Sequence, residues 1–148
     1  MAELRSRHAR FACPCCGYPT LEEQAGYEIC LLCWWEDDGQ SDADAAKVRG
    51  GPNGNLSLAE ARRNFVDHLT MYARGHDTRL GGEDSALEVQ AKRTLMAAYE
   101  EIRARPTDSS LWDIVDAQER VLRAETERKV GKAGRLEDDL PEHLPNER

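Results

Sequence analysis

Two short stretches decide the fold of this chain, CPCC at residues 13–16 and CLLC at residues 30–33. Each contains a Cys-x-x-Cys spacing, which folds into a tight turn, here called a knuckle, whose two sulfurs converge. Two knuckles supply the tetrahedral shell of four thiolates that structural zinc takes. The 13 residues between the pairs leave room for two short strands and a turn. The sequence therefore predicts a Zn²⁺ site with the ligands Cys13, Cys16, Cys30 and Cys33.

The same cysteines are compatible with two other uses, which are disulfides and a thioredoxin-type redox pair. Disulfides need an oxidising compartment, and residues 1–10 have no apolar segment of the kind that a secretory signal carries. A redox motif is typically one Cys-x-x-Cys between a strand and a helix, whereas two pairs occur here. We therefore expect a cytoplasmic, zinc-binding chain with no membrane association. Cys15, the fifth cysteine, is predicted to be a spare thiol.

The segment between the cysteine pairs has the pattern of a zinc-ribbon-like β-hairpin. Residues 18–21 are predicted to form a short strand, residues 22–26 a turn, and residues 27–29 the returning strand that leads into the second pair. A module of this size has too small a core to fold unaided, so the metal is expected to stabilise it.

From residue 57 onward the sequence has a helical pattern. Ser57 and Ser85 each precede a glutamate by three residues, which is the capping-box spacing at a helix start. We predict one helix over roughly 58–73, a second from near Ser85 to Arg105, and a third after a turn at residues 107–109. The last two are predicted to form an antiparallel pair. The shared apolar seam of the helices is predicted to include Phe65, Leu69, Leu95, Tyr99, Ile114 and Leu122.

The predicted fold class is therefore α+β, a small β-hairpin module followed by a predominantly helical region of about three helices. We expect residues 1–56 to hold the zinc-ribbon-like module and an acidic loop. Residues 57–130 should form the helical region packed against it. Residues 131–148 are polar, acidic and proline-punctuated, and we expect them to form a mobile tail.

The chain has a net charge of -8, and much of the negative charge lies close to the cysteines. Residues 12–56 contain eight acidic and only two basic side chains. Four thiolates around one dication add roughly two further negative charges. Nucleic-acid binding requires a basic surface that replaces the counterions of phosphate, so we expect none here. An acidic module of this kind favours a basic protein as its partner.

Residues 34–38 read WWEDD, directly after the second cysteine pair. Adjacent side chains on an extended backbone point in opposite directions, so one indole is expected to cover the knuckle while the other faces outward. The alternative is that both rings close a small core. The predicted contacts to a partner are Trp35, Glu36, Asp37 and Asp38.

CPCCGY at residues 13–18, YEICxxCxWEDD at residues 27–38 and NLSLAEARxNF at residues 55–65 together resemble the bacterial cysteine-rich CPCC family. The resemblance covers about residues 12–70. It implies a zinc-ribbon-like module and an association with bacterial toxin systems, in which such small proteins are proposed as immunity proteins. It implies no catalytic residues.

We therefore predict a binding protein rather than an enzyme. In the first hypothesis it is an immunity-type inhibitor, whose acidic surface covers the basic active site of a toxin that acts on nucleic acid. In the second it is a zinc-ribbon adaptor or regulatory protein in a cellular complex. A third, an HNH-like nuclease, rests on Asn64 and His68, which share one helix face; such residues are more often ordinary polar positions on an amphipathic helix.

Overall fold

The computed structural model describes the backbone of residues 10–138 and the side chains of residues 10–134. It contains three α-helices, which we name α1 (Leu58–His68), α2 (Ala86–Ala104) and α3 (Ser109–Asp138). Two single-turn 3-10 helices, Asp42–Asp44 and Gly51–Asn53, precede α1. None of these helices combines the length and the apolar character that crossing a membrane requires.

The predicted β-hairpin is wrong, because residues 10–138 contain two isolated β-bridges and no strand or sheet. One bridge pairs Phe11 with Leu21, and the other pairs Ile29 with Glu36. Each predicted strand therefore pairs across its own knuckle instead of with the other strand. A knuckle reverses the chain within a few residues, so the segment on its far side is the nearest pairing partner. The fold is essentially all-helical with a cysteine cluster, and the α+β prediction is corrected accordingly.

The helices begin where the capping patterns place them, but two of them end elsewhere. The helix α1 stops at His68 instead of near residue 73, because Leu69 adopts a left-handed conformation with φ 68° and its N–H donates to the carbonyl of Phe65. The helix α3 continues to Asp138. Residues 131–138 are therefore helical instead of part of a tail, and the rest of the predicted tail, residues 139–148, lies outside the described residues.

The helices α2 and α3 form the predicted antiparallel pair. Near the start of α2, Glu88 contacts the ammonium of Lys129 at 2.5 Å, and near its end the hydroxyl of Tyr99 donates to Glu119 at 2.9 Å. Burial raises the pKa of Tyr99, and the neighbouring Glu119 carboxylate raises it further. Glu119 is also paired with Arg10, which ties the chain just before the first knuckle to α3.

The predicted apolar seam is largely buried. Leu69 is half-buried and Ile114 is 40% exposed, whereas the adjacent Val115 is fully buried. The other four predicted members are buried: Phe65, Leu95, Tyr99 and Leu122.

The cysteine segment packs on this seam through one aromatic ring. Tyr18, two residues after the first knuckle, stacks on Tyr99 with 5.7 Å between ring centroids. Its ring also meets the ring of Phe65 edge-on at 6.3 Å. The cysteine cluster and the helices therefore share one hydrophobic core.

A buried cluster of four charged side chains connects α1, the following loop and α2. Arg79 contacts Asp77 at 2.5 Å and Asp84 at 2.8 Å, and Lys92 of α2 contacts Asp84 at 2.7 Å. Lys92 also donates to the carbonyl of Leu69 at 2.9 Å. Burial lowers the pKa of Lys92, and the Asp84 carboxylate offsets this only in part. Because each charge has an opposite partner, the cluster is stable only as a complete set.

We expect Leu95→Ala to lower the free energy of unfolding by about 2 to 5 kcal/mol, because Leu95 is fully buried between the helices. Ile114→Ala removes a similar side chain from a position that is 40% exposed, and it should cost less, about 1 kcal/mol. Denaturant unfolding measures both. Equal losses would contradict the difference in burial between Leu95 and Ile114.

Asp84→Asn should lower the free energy of unfolding by about 3 to 5 kcal/mol, since it leaves buried Lys92 and Arg79 with one carboxylate between them. The adjacent, exposed Glu83 provides the control, and Glu83→Gln should change stability by no more than about 0.5 kcal/mol. The same unfolding assay applies. A small loss in Asp84→Asn would mean that water reaches the cluster.

Candidate metal centre

The four predicted ligands converge on one point. Their sulfur atoms all lie within 4.8 Å of one another, with 3.6 Å between Cys13 and Cys33 and 3.8 Å between Cys16 and Cys30. A tetrahedral zinc ion about 2.3 Å from each sulfur requires sulfur–sulfur distances of about 3.8 Å. All five cysteines of the chain are free thiols. The cluster can therefore hold a metal ion, and its geometry and donor set fit Zn²⁺.

The first knuckle is closed by two main-chain hydrogen bonds. The N–H of Cys13 donates to the carbonyl of Tyr18 at 2.9 Å, and the N–H of Gly17 donates to the carbonyl of Cys13 at 2.8 Å. Gly17 has φ 79°, a left-handed conformation that favours glycine. The turn therefore brings the two sulfurs of the pair to the same side of the chain.

The second knuckle repeats the first at an offset of 17 residues. The N–H of Cys30 donates to the carbonyl of Trp35, and the N–H of Trp34 donates to the carbonyl of Cys30, each at 2.9 Å. Trp34 occupies the place of Gly17 and has φ 73°, which is a strained conformation for a bulky residue. This repeat was not predicted, although aligning the two Cys-x-x-Cys pairs places an aromatic residue, Tyr18 or Trp35, two positions after each.

Hydrogen-bond donors surround the sulfur atoms. The Sγ of Cys30 accepts from the N–H of Cys33 at 3.5 Å and lies 3.1 Å from the hydroxyl of Thr20, and the Sγ of Cys33 accepts from the N–H of Trp35 at 3.4 Å. Such donors orient and stabilise thiolate ligands. Three of the four thiols are almost completely buried, and Cys16 is half-buried.

Burial raises the pKa of these thiols, whereas the hydrogen bonds between them raise the pKa of one thiol and lower that of another. Burial raises the pKa of Cys16, and its hydrogen bonds to neighbouring thiols raise it further. Burial also opposes the ionisation of Cys30, but hydrogen bonds from the other three thiols and Thr20 outweigh it and lower its pKa well below the usual range. A dication would supply the charge that stabilises four thiolates in this buried site.

Cys15 lies beside the cluster without joining it. Its side chain is buried, with 7% of its surface exposed. The group of thiols that can hold a metal excludes it.

The residues predicted to contact a partner have different positions in the structure. Trp35 is fully buried in the core. The carboxylate of Asp37 is buried and accepts from the N–H of Ala25 at 2.7 Å, and that of Asp38 accepts from the N–H of Gln40 at 3.0 Å. Glu36 is half-exposed, and no hydrogen bond or ion pair to its side chain is found within the described part of the chain. Of these four residues, Glu36 is thus the one whose side chain is free to meet a partner.

The tryptophan pair resolves into one buried and one half-exposed ring. Trp34 is the half-exposed one, and the guanidinium of Arg79 lies 5.2 Å from the centre of its ring. This cation–π contact connects the second knuckle to the buried charge cluster.

Asn64 and His68 stabilise the loop that follows α1. The amide of Asn64 donates to the carbonyl of Met71 at 2.8 Å, and the ring of His68 contacts the carbonyl of Tyr72 and the carboxylate of Asp67. Both side chains therefore hold the main chain of this loop in place.

A family model of the cysteine-rich CPCC proteins matches residues 11–79. The match includes both knuckles, α1 and the loop up to Arg79, so the resemblance of residues 12–70 to this family is confirmed. Neither the search of curated proteins nor the search of solved structures found a significant match.

Purified protein is expected to hold one Zn²⁺ per chain, and Cys33→Ser should lose it because each ligand is required for the tetrahedral shell. The matched control is Cys15→Ser, which removes a neighbouring buried thiol and should retain the metal. Elemental analysis of the purified variants measures both. Zinc retained in Cys33→Ser but lost in Cys15→Ser would overturn this ligand assignment.

Proposed function

Because residues 11–79 form a module of the cysteine-rich CPCC family, we propose that the chain is a zinc-stabilised binding protein for a basic protein partner. The observation that carries the proposal is the convergence of four thiols, three of them buried and one half-buried, with the geometry of a structural zinc site. Such a site fixes loops that have no sheet to hold them, and it leaves the surface of those loops available for binding.

The surface charge of the module supports a basic partner. The carboxylates of Asp37 and Asp38 accept hydrogen bonds from main-chain N–H groups, and Asp44 is paired with Arg49. Other acidic side chains of the module remain exposed or half-exposed, and complementary charge would speed the encounter with a cationic protein. These are Glu22, Glu23 and Glu36.

In its specific form, we propose that the protein is an immunity-type inhibitor of a bacterial toxin with a basic active site. A toxin that acts on nucleic acid is cationic where it binds phosphate, so an acidic protein is suited to cover that site. The zinc thiolates would persist in the reducing cytoplasm, where such an inhibitor is needed.

The direct test combines coexpression with kinetics. The protein encoded by the adjacent upstream gene is coexpressed with this chain, and growth and complex formation are measured. We expect protection from toxicity and an association rate that falls as salt is raised. No protection and no complex would reject the inhibitor, while a complex with a harmless partner would favour the adaptor hypothesis.

Reversing Glu22, Glu23 and Glu36 to lysine should slow association by roughly tenfold and flatten its salt dependence, with little effect on dissociation. Zinc content verifies that the variant is folded.

The control reverses three exposed acids of the helical pair, Glu100, Glu101 and Glu127, and changes the net charge by the same amount. Equal slowing in both variants would mean that total charge, and not the module surface, steers the partner.

A further inference from the structure

A cleft in the described part of the chain lies within the family segment. It has a volume of about 760 Å³ and is formed mainly by two facing loops, residues 51–56 and residues 71–78. Clefts that bind ligands typically have volumes of about 300 to 1,000 Å³. The cleft is separate from the cysteine cluster, since none of its lining residues is a cysteine.

The carboxylate of Glu60 lies in one wall of the cleft instead of completing a capping box at the start of α1. At the start of α2, Ser85 and Glu88 form a complete capping box, in which each side chain bonds the other residue's main chain. At the start of α1, Ser57 accepts from the N–H of Glu60 at 3.1 Å, but the reciprocal bond from the Glu60 carboxylate is missing. The half-exposed Glu60 instead lines the cleft.

Glu60 is the free acidic group of this cleft. The other carboxylate in the lining, Asp77, is bound by Arg79. Within residues 10–138, the side chain of Glu60 has no hydrogen bond or ion pair. A half-buried carboxylate without a partner favours a cationic ligand, which would supply charge-assisted hydrogen bonds.

The cleft also adjoins the acidic surface of the module. Asn53, in its wall, is buried and binds the main chain of Glu36 through both ends of its amide, at 3.0 Å and 2.8 Å. Glu36 therefore lies directly behind the 51–56 loop. Charge that attracts a basic protein would thus deliver it to the edge of the cleft.

The glycines of the lining leave the main chain accessible. Gly51, Gly54 and Gly75 have φ between 58° and 76°, and a Cβ atom built on any of them meets nothing within 4 Å. The space in front of these residues is therefore open, and a ligand backbone can approach them closely. This favours a loop of polypeptide over a compact ion.

We propose that this cleft receives a lysine or arginine side chain from a protruding loop of the basic partner protein, with Glu60 as its counter-ion. This inference rests on the proposed function and adds the binding site and the chemistry of the anchoring group. Glu36 and the other exposed acids act on association, whereas Glu60 acts on dissociation.

The test is a titration of the zinc-loaded full chain, labelled with ¹⁵N, with a short arginine-containing glycine peptide and with the same peptide carrying glutamate in place of arginine. Amide shifts are expected at Gly54, Asn55, Gly75 and His76 with the arginine peptide only. Glu60→Gln should weaken this binding by about tenfold or more. The N–H of residue 60 still donates to the hydroxyl of Ser57 in this variant, so the variant should fold. Its zinc content verifies the fold.

The control is Glu127→Gln, which removes an exposed carboxylate from α3 outside the cleft and should leave the affinity unchanged. Shifts centred on residues 22–28, or undiminished affinity in Glu60→Gln, would overturn the cleft as the site while leaving the acidic binding protein in place. Equal behaviour of the arginine and glutamate peptides would instead reject the basic partner itself.

Discussion

The convergence of four cysteine sulfurs is the constraint on which the rest of the structure depends. It fixes two knuckles, and each knuckle sets the direction of the aromatic residues that follow it. Tyr18 is thereby placed against Tyr99 of α2, and Trp34 is placed against Arg79 in the buried charge cluster. The cysteine segment thus meets the helical pair through an apolar contact and, by way of the charge cluster, through a charged one. A segment without a sheet gains a defined place on the helices through these two contacts.

Local chemistry could be predicted from the sequence, and pairing between segments could not. The clustering of Cys13, Cys16, Cys30 and Cys33 follows from the Cys-x-x-Cys spacing, and the helix starts follow from Ser57 and Ser85, because both signals depend on residues a few positions apart. The hairpin was wrong because strand propensity does not identify the partner of a strand, which was decided by where the knuckles reverse the chain. Ile114 was predicted to lie in the seam, but its neighbour Val115 is the buried residue. Two adjacent apolar residues do not show which of them faces the core of the helix pair.

The WWEDD stretch illustrates why charge and size do not by themselves mark a binding surface. Buried N–H and C=O groups need hydrogen-bond partners. In a segment that has only isolated bridges, side chains form hydrogen bonds with main-chain groups that a neighbouring strand would otherwise bind. Asp37 binds the N–H of Ala25, and Asn53 binds both main-chain groups of Glu36. Polar residues that looked like contacts for another protein are thereby committed to the fold. The candidate cleft was not visible in the sequence, since it depends on how two loops face each other.

The left-handed conformation of Trp34 gives the chain an internal optical reporter. Its indole is held against the Arg79 guanidinium only while the second knuckle keeps φ at 73°. Opening that turn would release the strain and separate the ring from its asymmetric, charged surroundings. The near-ultraviolet circular dichroism of this tryptophan is therefore linked to the state of the thiol cluster. Binding of a metal ion by the cluster would then be visible on the unmodified chain, without a dye or a tag.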